Sequence, residues 1–226
     1  MSWIVVIGYI FALSVISIFS LEQLYLAILY KRAKKSESKS PELNSYPKVT
    51  VQLPVYNEKY VVQRLIDSVC SLDYPLDRLE IQVLDDSTDE TIEIISSQVQ
   101  KWQEKGINVQ HIQRPERVGF KAGALAYGLK LASGEYIAIF DADFLPEPDF
   151  LLKTLGHFTE EIGMVQTRWG HLNEDYSILT RMQAFGLNAH FSVEQLGRNA
   201  SGKFMNFNGT AGVWRKSCIE EAGGWQ

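Results

Sequence analysis

Asp141-Ala142-Asp143 follows the apolar run Tyr136-Ile137-Ala138-Ile139-Phe140. Two carboxylates spaced this way at a strand end can hold one hard divalent cation between them, and the alanine leaves room for a ribose or phosphate to approach the backbone. The same pair also suits a turn or a helix cap, and alone it does not separate the two readings. A second acidic pair, Asp85-Asp86, ends the run Ile81-Gln82-Val83-Leu84. Clustering acids without a cation is electrostatically costly, so the second pair strengthens the cation reading. Ser87 and Glu90 read as a capping box for the next helix. That leaves one of the two aspartates to face a ligand; the bland alternative is that Asp86 to Asp89 only cap. Lys121, in Gly119-Phe120-Lys121-Ala122-Gly123-Ala124, can offset phosphate charge or be an ordinary surface lysine. A third strand-like run leads into Tyr56-Asn57-Glu58. Other chemistries lack their spacing. There is no Gly-x-x-x-x-Gly-Lys-Ser/Thr, no Gly-x-Gly-x-x-Gly after a strand and no Gly-x-Ser-x-Gly. His111, His157, His171 and His190 have no zinc-ligand spacing, and His190 beside Phe191 reads as a packed helix residue.

The elements that must position these groups alternate in type. Val49-Thr50-Val51-Gln52-Leu53 reads as a buried strand ending at Pro54, and Val61, Val62, Leu65, Ile66 and Val69 recur at helical spacing. Residues 81–84 form a second strand, followed by a helix with Ile92, Ile95, Val99 and Trp102 on one face. Val109 to Ile112 is a weaker strand, Lys121 to Leu131 a helix, and Tyr136 to Phe140 the strongest strand. Pro148 opens another helix, Met164 to Thr167 is a strand, and Ile178 to Gln195 is helical. Such alternation predicts an α/β fold with a mostly parallel sheet and helices on both faces. Ligands of such sheets bind beyond the carboxyl ends of the strands, where these acids fall.

The chain has 226 residues, 46% of them hydrophobic and 22% charged, which excludes a disordered or collagen-like chain. Cys70 and Cys218, its only cysteines, are far apart, which fits a reducing compartment. Residues 1–30 carry a single charged side chain, Glu22, and Lys31, Arg32, Lys34 and Lys35 follow at once. About 20 apolar residues span a bilayer, so residues 1–30 are expected to form a transmembrane helix. Basic residues after the span put the downstream part in the cytoplasm, where the sequons at Asn199 and Asn208 escape glycosylation. Residues 31–46 read as a basic, then Ser-rich, polar linker, and 47–226 as the globular domain. Residues 41–226 hold 17 basic and 25 acidic side chains, a balance of −8. That argues against nucleic acid as a partner and for a site that recruits cations.

Six blocks in order then carry a resemblance: Val51-Gln52-Leu53-Pro54-Val55-Tyr56-Asn57-Glu58, Val83 to Asp89, Lys121-Ala122-Gly123-Ala124, Phe140 to Asp143, Val165-Gln166-Thr167-Arg168-Trp169, and Phe207 to Arg215. Together they resemble family 2 inverting glycosyltransferases, in the cellulose-synthase-like group near the plant glucomannan 4-β-mannosyltransferases. The resemblance covers roughly Pro47 to Trp225. It implies the GT-A fold, a Rossmann-like, mostly parallel sheet. It also implies a metal-dependent transfer of a hexose from a nucleotide-sugar, GDP-mannose or UDP-glucose, to a glycan acceptor, a growing β-linked polysaccharide. By the same resemblance Tyr56 and Glu58 line the base pocket with Pro54, and Asp85 or Asp86 meets base or ribose. Lys121 lies near the diphosphate, beside Ala142. Asp141 and Asp143 hold Mn²⁺ or Mg²⁺, with Asp143 favoured as the direct ligand, and Phe207, Asn208, Gly209 and Thr210 border the acceptor. Without the resemblance, that last segment reads as a Gly-containing turn.

The family's general base belongs to a Thr-Glu-Asp-like motif downstream of a Gly-Gly-Trp segment, and here Gly223-Gly224-Trp225 is followed only by Gln226. The expectation is therefore a piece of a longer synthase that holds the donor and does not turn over alone. Two other classes stay open: a non-catalytic nucleotide-sugar-binding membrane protein, and a metal-dependent nucleotidyltransferase, which would release pyrophosphate.

Overall fold

The computed structural model describes residues 3–34, 41, 43 and 45–225. Lys35, Ser36 to Ser40, Glu42 and Asn44, all in the expected linker, lie outside the described residues. Contacts divide the chain into two compact units, 40–167 with 207–226, and 1–39 with 168–206. This grouping differs from a single domain over 47–226.

The first unit is built on a six-stranded sheet of order β3-β2-β1-β4-β6-β5. Its strands are β1 Val49–Val55, β2 Leu79–Asp85, β3 Val109–Gln113, β4 Tyr136–Ile139, β5 Met164–Gln166 and β6 Gly212–Arg215. β1 pairs in parallel with β2 and β4, and β2 with β3. Every residue of β2 is buried, Glu80, Gln82 and Asp85 included, so both sheet faces are covered there. Pro54 does not end β1. It pairs with Leu84, beyond the last β1–β4 pairing at Gln52 and Ile139, where a residue without an N–H is tolerated because β1 has one neighbour there.

Around the sheet lie α2 Val62–Cys70, α3 Thr91–Gln103, α4 Phe120–Leu131, α5 Phe150–Leu155 and α8 Lys216–Glu221. Leu125 and Leu129 of α4 and Ile219 of α8 join Leu84, Ile137 and Ile139 in one apolar cluster. Gly128 lets α4 come close: a Cβ there would sit 2.7 Å from Gln52 Nε2 and 2.8 Å from Gln82 Oε1. Those two buried glutamines face each other across β1 and β2, with Nε2 of Gln52 donating to Oε1 of Gln82 at 3.0 Å.

Several expectations are corrected here. Ser87 and Glu90 form no capping box: α3 starts at Thr91 without a side-chain cap, Thr91 N donates to Asp89 Oδ1 at 3.0 Å, and Ser87 Oγ accepts from Asn57 N at 3.0 Å. Ser87 sits too far before the helix to cap it. β6 and α8 lie just after the segment 207–210 that reads as a turn, in residues to which the sequence assigned no element. β6 is antiparallel to both β4 and β5.

The second unit contains α1 Trp3–Lys34, α6 Ile178–Ala189 and α7 Leu196–Ala200. α1 runs four residues past the expected end of the apolar span, since Lys, Arg and Ala favour helix and cations suit a helix C-terminus. It is the one helix among the described residues long and apolar enough to cross a membrane. Hydroxyls of Ser14 and Ser20 donate to the carbonyls of Ile10 and Ile16, both at 2.8 Å, which satisfies them inside the apolar helix. The helix expected to end at Gln195 instead passes through a π-helical turn, His190–Gln195, into α7. Gly197 makes the approach of α7 to α1 possible, as a Cβ there would lie 2.9 Å from the Leu26 carbonyl oxygen. Leu26 is correspondingly buried.

Candidate functional site

Because β2, β1 and β4 run parallel, their carboxyl ends open on one edge of the sheet. A pocket of about 420 Å³ lies there. Its wall takes Pro54, Tyr56 and Glu58 from β1 and the residues after it, Asp86 from beyond β2, and Asp141, Ala142 and Asp143 from beyond β4. Arg117 and Lys121, from the approach to α4 and its first turn, complete it. The structure thus brings together eight of the nine residues expected around a donor. Asp85 is the one it leaves out.

Asp85 and Asp86 have different surroundings. The Asp85 side chain is fully buried. Its Oδ2 accepts from His111 Nε2 at 2.8 Å and Gln113 Nε2 at 3.3 Å, and its Oδ1 from the Ser87 amide at 2.8 Å. Burial pushes this carboxyl up, but the hydrogen bonds from His111 and Ser87 outweigh it and hold it below its ordinary value. Asp85 is thereby a structural hub. Asp86 reaches the pocket already held: Arg114 grips both its oxygens, Nε to Oδ1 at 2.7 Å and Nη2 to Oδ2 at 2.6 Å. Both side chains are below 10% exposed, 8% for Arg114 and 6% for Asp86. A bidentate, charge-assisted pair of this kind is strong and geometrically specific.

Arg114 also ties down its own loop. Nη1 donates to the Val118 carbonyl at 2.6 Å and Nη2 to that of Phe120 at 2.8 Å. In the same loop the Arg117 guanidinium lies over the Tyr56 ring, 3.4 Å from its centroid. Its Nε is 3.9 Å from Asp86 Oδ2. Sequence reasoning missed His111, Arg114 and Arg117. The cluster Arg114-Pro115-Glu116-Arg117 is visible in the chain, but no spacing rule ties it to Asp86, 28 residues before Arg114.

At the other end of the pocket the Lys121 ammonium forms an ion pair with Asp141 and donates to the Gly209 carbonyl at 2.8 Å. The Asp141 amide donates to Thr210 Oγ1 at 3.0 Å. Gly209 and Thr210 therefore sit behind Lys121 and Asp141 rather than in the pocket lining. Gln166 holds this segment, accepting from the Asn208 amide at 3.0 Å and donating to the Thr210 carbonyl at 3.0 Å. Phe207 packs elsewhere, edge-on to Trp214 at 5.4 Å and beside Trp225 at 6.2 Å. Asn57, with φ 56°, joins the β1 and β2 ends: its amide donates to Ser87 Oγ and its Oδ1 accepts from the Thr88 amide at 2.9 Å.

Among the described residues no group of three or more His, Cys, Asp or Glu is placed to hold a metal ion. Asp141 and Asp143 line one pocket, however, and Mg²⁺ bound at phosphate sites takes one or two carboxylates and completes its shell with phosphate oxygens and water. The donor set fits a cation of that kind and gives it no all-protein cage.

The chain is 48% identical over 187 residues to a probable glucomannan 4-β-mannosyltransferase 10 of Arabidopsis thaliana, and 47% identical over 194 residues to a glucomannan 4-β-mannosyltransferase 1 of Oryza sativa subsp. japonica. These matches take in 80% and 82% of this chain but 34% and 37% of the relatives, so the chain spans about a third of their length. Among solved structures, it superposes with a TM-score of 0.68 and 26% identity on the mannosyltransferase PcManGT from Pyrobaculum calidifontis, in complex with GDP-Man and Mn²⁺. That likeness covers 93% of this chain and 58% of the other, and it places the sheet and its strand-end pocket in the GT-A fold. Residues 50–221 match the family described as Glycosyl transferase family 2, to which this chain belongs.

Proposed function

We propose that this chain is the donor-binding part of a membrane-anchored, metal-dependent glycosyltransferase that moves a hexose from a nucleoside-diphosphate sugar to a β-linked glycan. The observation that carries this reading is the single pocket joining Asp86, Lys121, Asp141 and Asp143 beyond three parallel strand ends. The relatives named as glucomannan mannosyltransferases and the GDP-Man held by the superposable structure support GDP-mannose as the donor ahead of UDP-glucose. The length and composition of α1 support the anchor.

In this reading the Tyr56 ring and the Arg117 guanidinium offer flat faces to the nucleobase. Asp86, kept in place by Arg114, accepts hydrogen bonds from the base or ribose without having to be oriented on binding. Lys121 exchanges its contact with Asp141 for the phosphate oxygens, and Thr210 keeps the Asp141 backbone fixed as it does so. Asp141 and Asp143 would hold a divalent cation, Mn²⁺ or Mg²⁺, and that cation supplies charge neutralisation to the departing nucleoside diphosphate.

Thermal unfolding of the full chain in detergent micelles with GDP, UDP, GDP-mannose and UDP-glucose, each with and without Mn²⁺, tests this. A ligand that binds only the folded state at 100 times its Kd stabilises it by about 2.7 kcal/mol. The expected result is a rise with a nucleoside diphosphate or its sugar that grows with Mn²⁺. Asp143→Ala should abolish the metal-dependent part and keep the unliganded melting point. No response to any of the four ligands, or a metal-dependent rise retained in Asp143→Ala, would sink the reading.

A further inference from the structure

Gln166, the last residue of β5, lies outside the pocket lining, yet both polar atoms of its side chain serve one turn. Oε1 accepts from the Asn208 amide at 3.0 Å, and Nε2 donates to the carbonyls of Thr210 at 3.0 Å and Ala211 at 3.1 Å. The Thr167 carbonyl lies 3.2 Å from the same nitrogen. These neighbours fix which end of the amide is oxygen, since a flipped amide or a glutamate would set oxygen against oxygen. The turn needs this hold. Gly209 has φ 81°, and Ala211, a fully buried residue that is not glycine, has φ 50°. Such a backbone persists only where its surroundings over-determine it, and it clusters at functional sites. Here the Ala211 carbonyl also accepts from the Thr167 amide at 3.1 Å and from Thr167 Oγ1 at 2.7 Å. The Ala211 amide donates to the Ile139 carbonyl at 2.8 Å.

What the turn holds is the cation end of the pocket. Thr210 Oγ1 accepts from the Asp141 amide at 3.0 Å, and the Gly209 carbonyl accepts from Lys121 at 2.8 Å. Asp141 and Lys121 line the pocket, whereas Gln166, Asn208 and Thr210 do not. Gln166 therefore acts from two strands away, across β6 from the β4 end that Asp141 follows. No all-protein cage surrounds a cation at Asp141 and Asp143, so its affinity depends on how firmly those few carboxylates are aimed. Removing the partners that orient a metal-ligating group typically costs about 10–100-fold in metal affinity.

We infer that Gln166, acting through the 208–211 turn and Thr210, is a positioning residue for Asp141 and so sets how strongly a divalent cation and a diphosphate bind together. This rests on the metal-dependent donor reading given above, and the test separates the two. Titration calorimetry of the full chain in detergent micelles with GDP, in EDTA and in saturating Mn²⁺, reads the gain in affinity that the cation brings. The unaltered chain should gain about tenfold or more, and Gln166→Glu and the isosteric Thr210→Val should lose most of that gain. Their affinity for GDP in EDTA should stay within about twofold, since the base end of the pocket does not lean on this turn. Thr210→Ser, which keeps the hydroxyl, should keep the gain, and Asp143→Ala should lose it. Added negative charge at position 166 would by itself strengthen cation binding, so a loss in Gln166→Glu is positional. With neither nucleotide nor cation present, exchange of the Asp141 amide should quicken by about tenfold or more in Gln166→Glu and Thr210→Val. Circular dichroism checks folding, and the neutral Gln166→Met replaces Gln166→Glu if the latter does not fold. Failure of both to fold would make Gln166 a residue of the scaffold alone and overturn the inference. A gain retained in the position 166 variant, or equal losses of GDP affinity with and without Mn²⁺, also overturns it and leaves the donor reading standing. No gain in the unaltered chain removes the metal reading and the inference together.

Discussion

Asp85 and Asp86 are adjacent, both acidic and both nearly buried, yet one is part of the scaffold and the other of the pocket. Successive side chains at a strand end point in opposite directions, which alone sends them apart. Asp85 then gathers His111, Gln113 and the Ser87 amide. Its carboxyl is held below the ordinary value, so its contribution to stability is complete above about pH 3.9 and fades as the pH falls through the lower folded value. Asp85→Asn should cost about 1–3 kcal/mol at pH 7, because buried donors lose their charged acceptor. The deficit relative to the unaltered chain should shrink below about pH 4, where the unfolded chain takes up the proton first and the folded carboxyl follows at lower pH. Tryptophan-monitored unfolding at pH 7 and pH 3 checks this; a deficit of equal size at both would disprove the role given to Asp85.

At the scale of elements, the strands and helices with strong local periodicity were legible. β1, β2 and β4 and helices α2, α3 and α4 fall where their apolar spacing puts them, within a few residues. β6 and α8 were not legible, since Gly212-Val213-Trp214-Arg215 is short and its strand state depends on β4 and β5 on either side. The loop 114–120 was also opaque. Its shape depends on Arg114, which holds Asp86 and the carbonyls of Val118 and Phe120 at once. A lysine has one ammonium and cannot reproduce that fork. Arg114→Lys should therefore weaken GDP binding in the presence of Mn²⁺ by about tenfold or more, roughly 1.4 kcal/mol, with little change in helix content. Titration calorimetry beside circular dichroism measures both, and unchanged affinity would rule out the loop as a positioning device.

For the whole molecule, the division into two units predicts uneven stability. β1 and β2 are buried almost throughout, whereas α6 and α7 bury little beyond Ala184 and Gly197. Backbone hydrogen bonds near solvent open at low free energy, and those in a buried sheet open only near global unfolding. Amide exchange on the full chain in micelles should be slowest in residues 49–55, 79–85 and 136–139 and much faster across 178–200. Equal protection of the two groups would contradict this partition. No local pattern announces this grouping, because the contact of Gly197 with Leu26 joins positions about 170 residues apart.

The sequence by itself determined the apolar runs, the carboxylates that end three of them, the uncharged helix ahead of the basic residues, and the family blocks. All of these are local, governed by periodicity, backbone preference and composition, and so they are written in consecutive residues. Only the tertiary structure decided which aspartate faces the pocket, that Arg114 and Arg117 belong to it, that Thr210 and Gly209 stand behind Asp141 and Lys121, and that Ile178, Leu179, Met182 and Phe185 of α6 are exposed among the described residues. Those outcomes depend on pairs such as Asp85 with His111 and Asp141 with Thr210, separated by 26 and 69 residues. Burial selects such pairs, because a polar group removed from water must find its partner wherever the packed sheet supplies one.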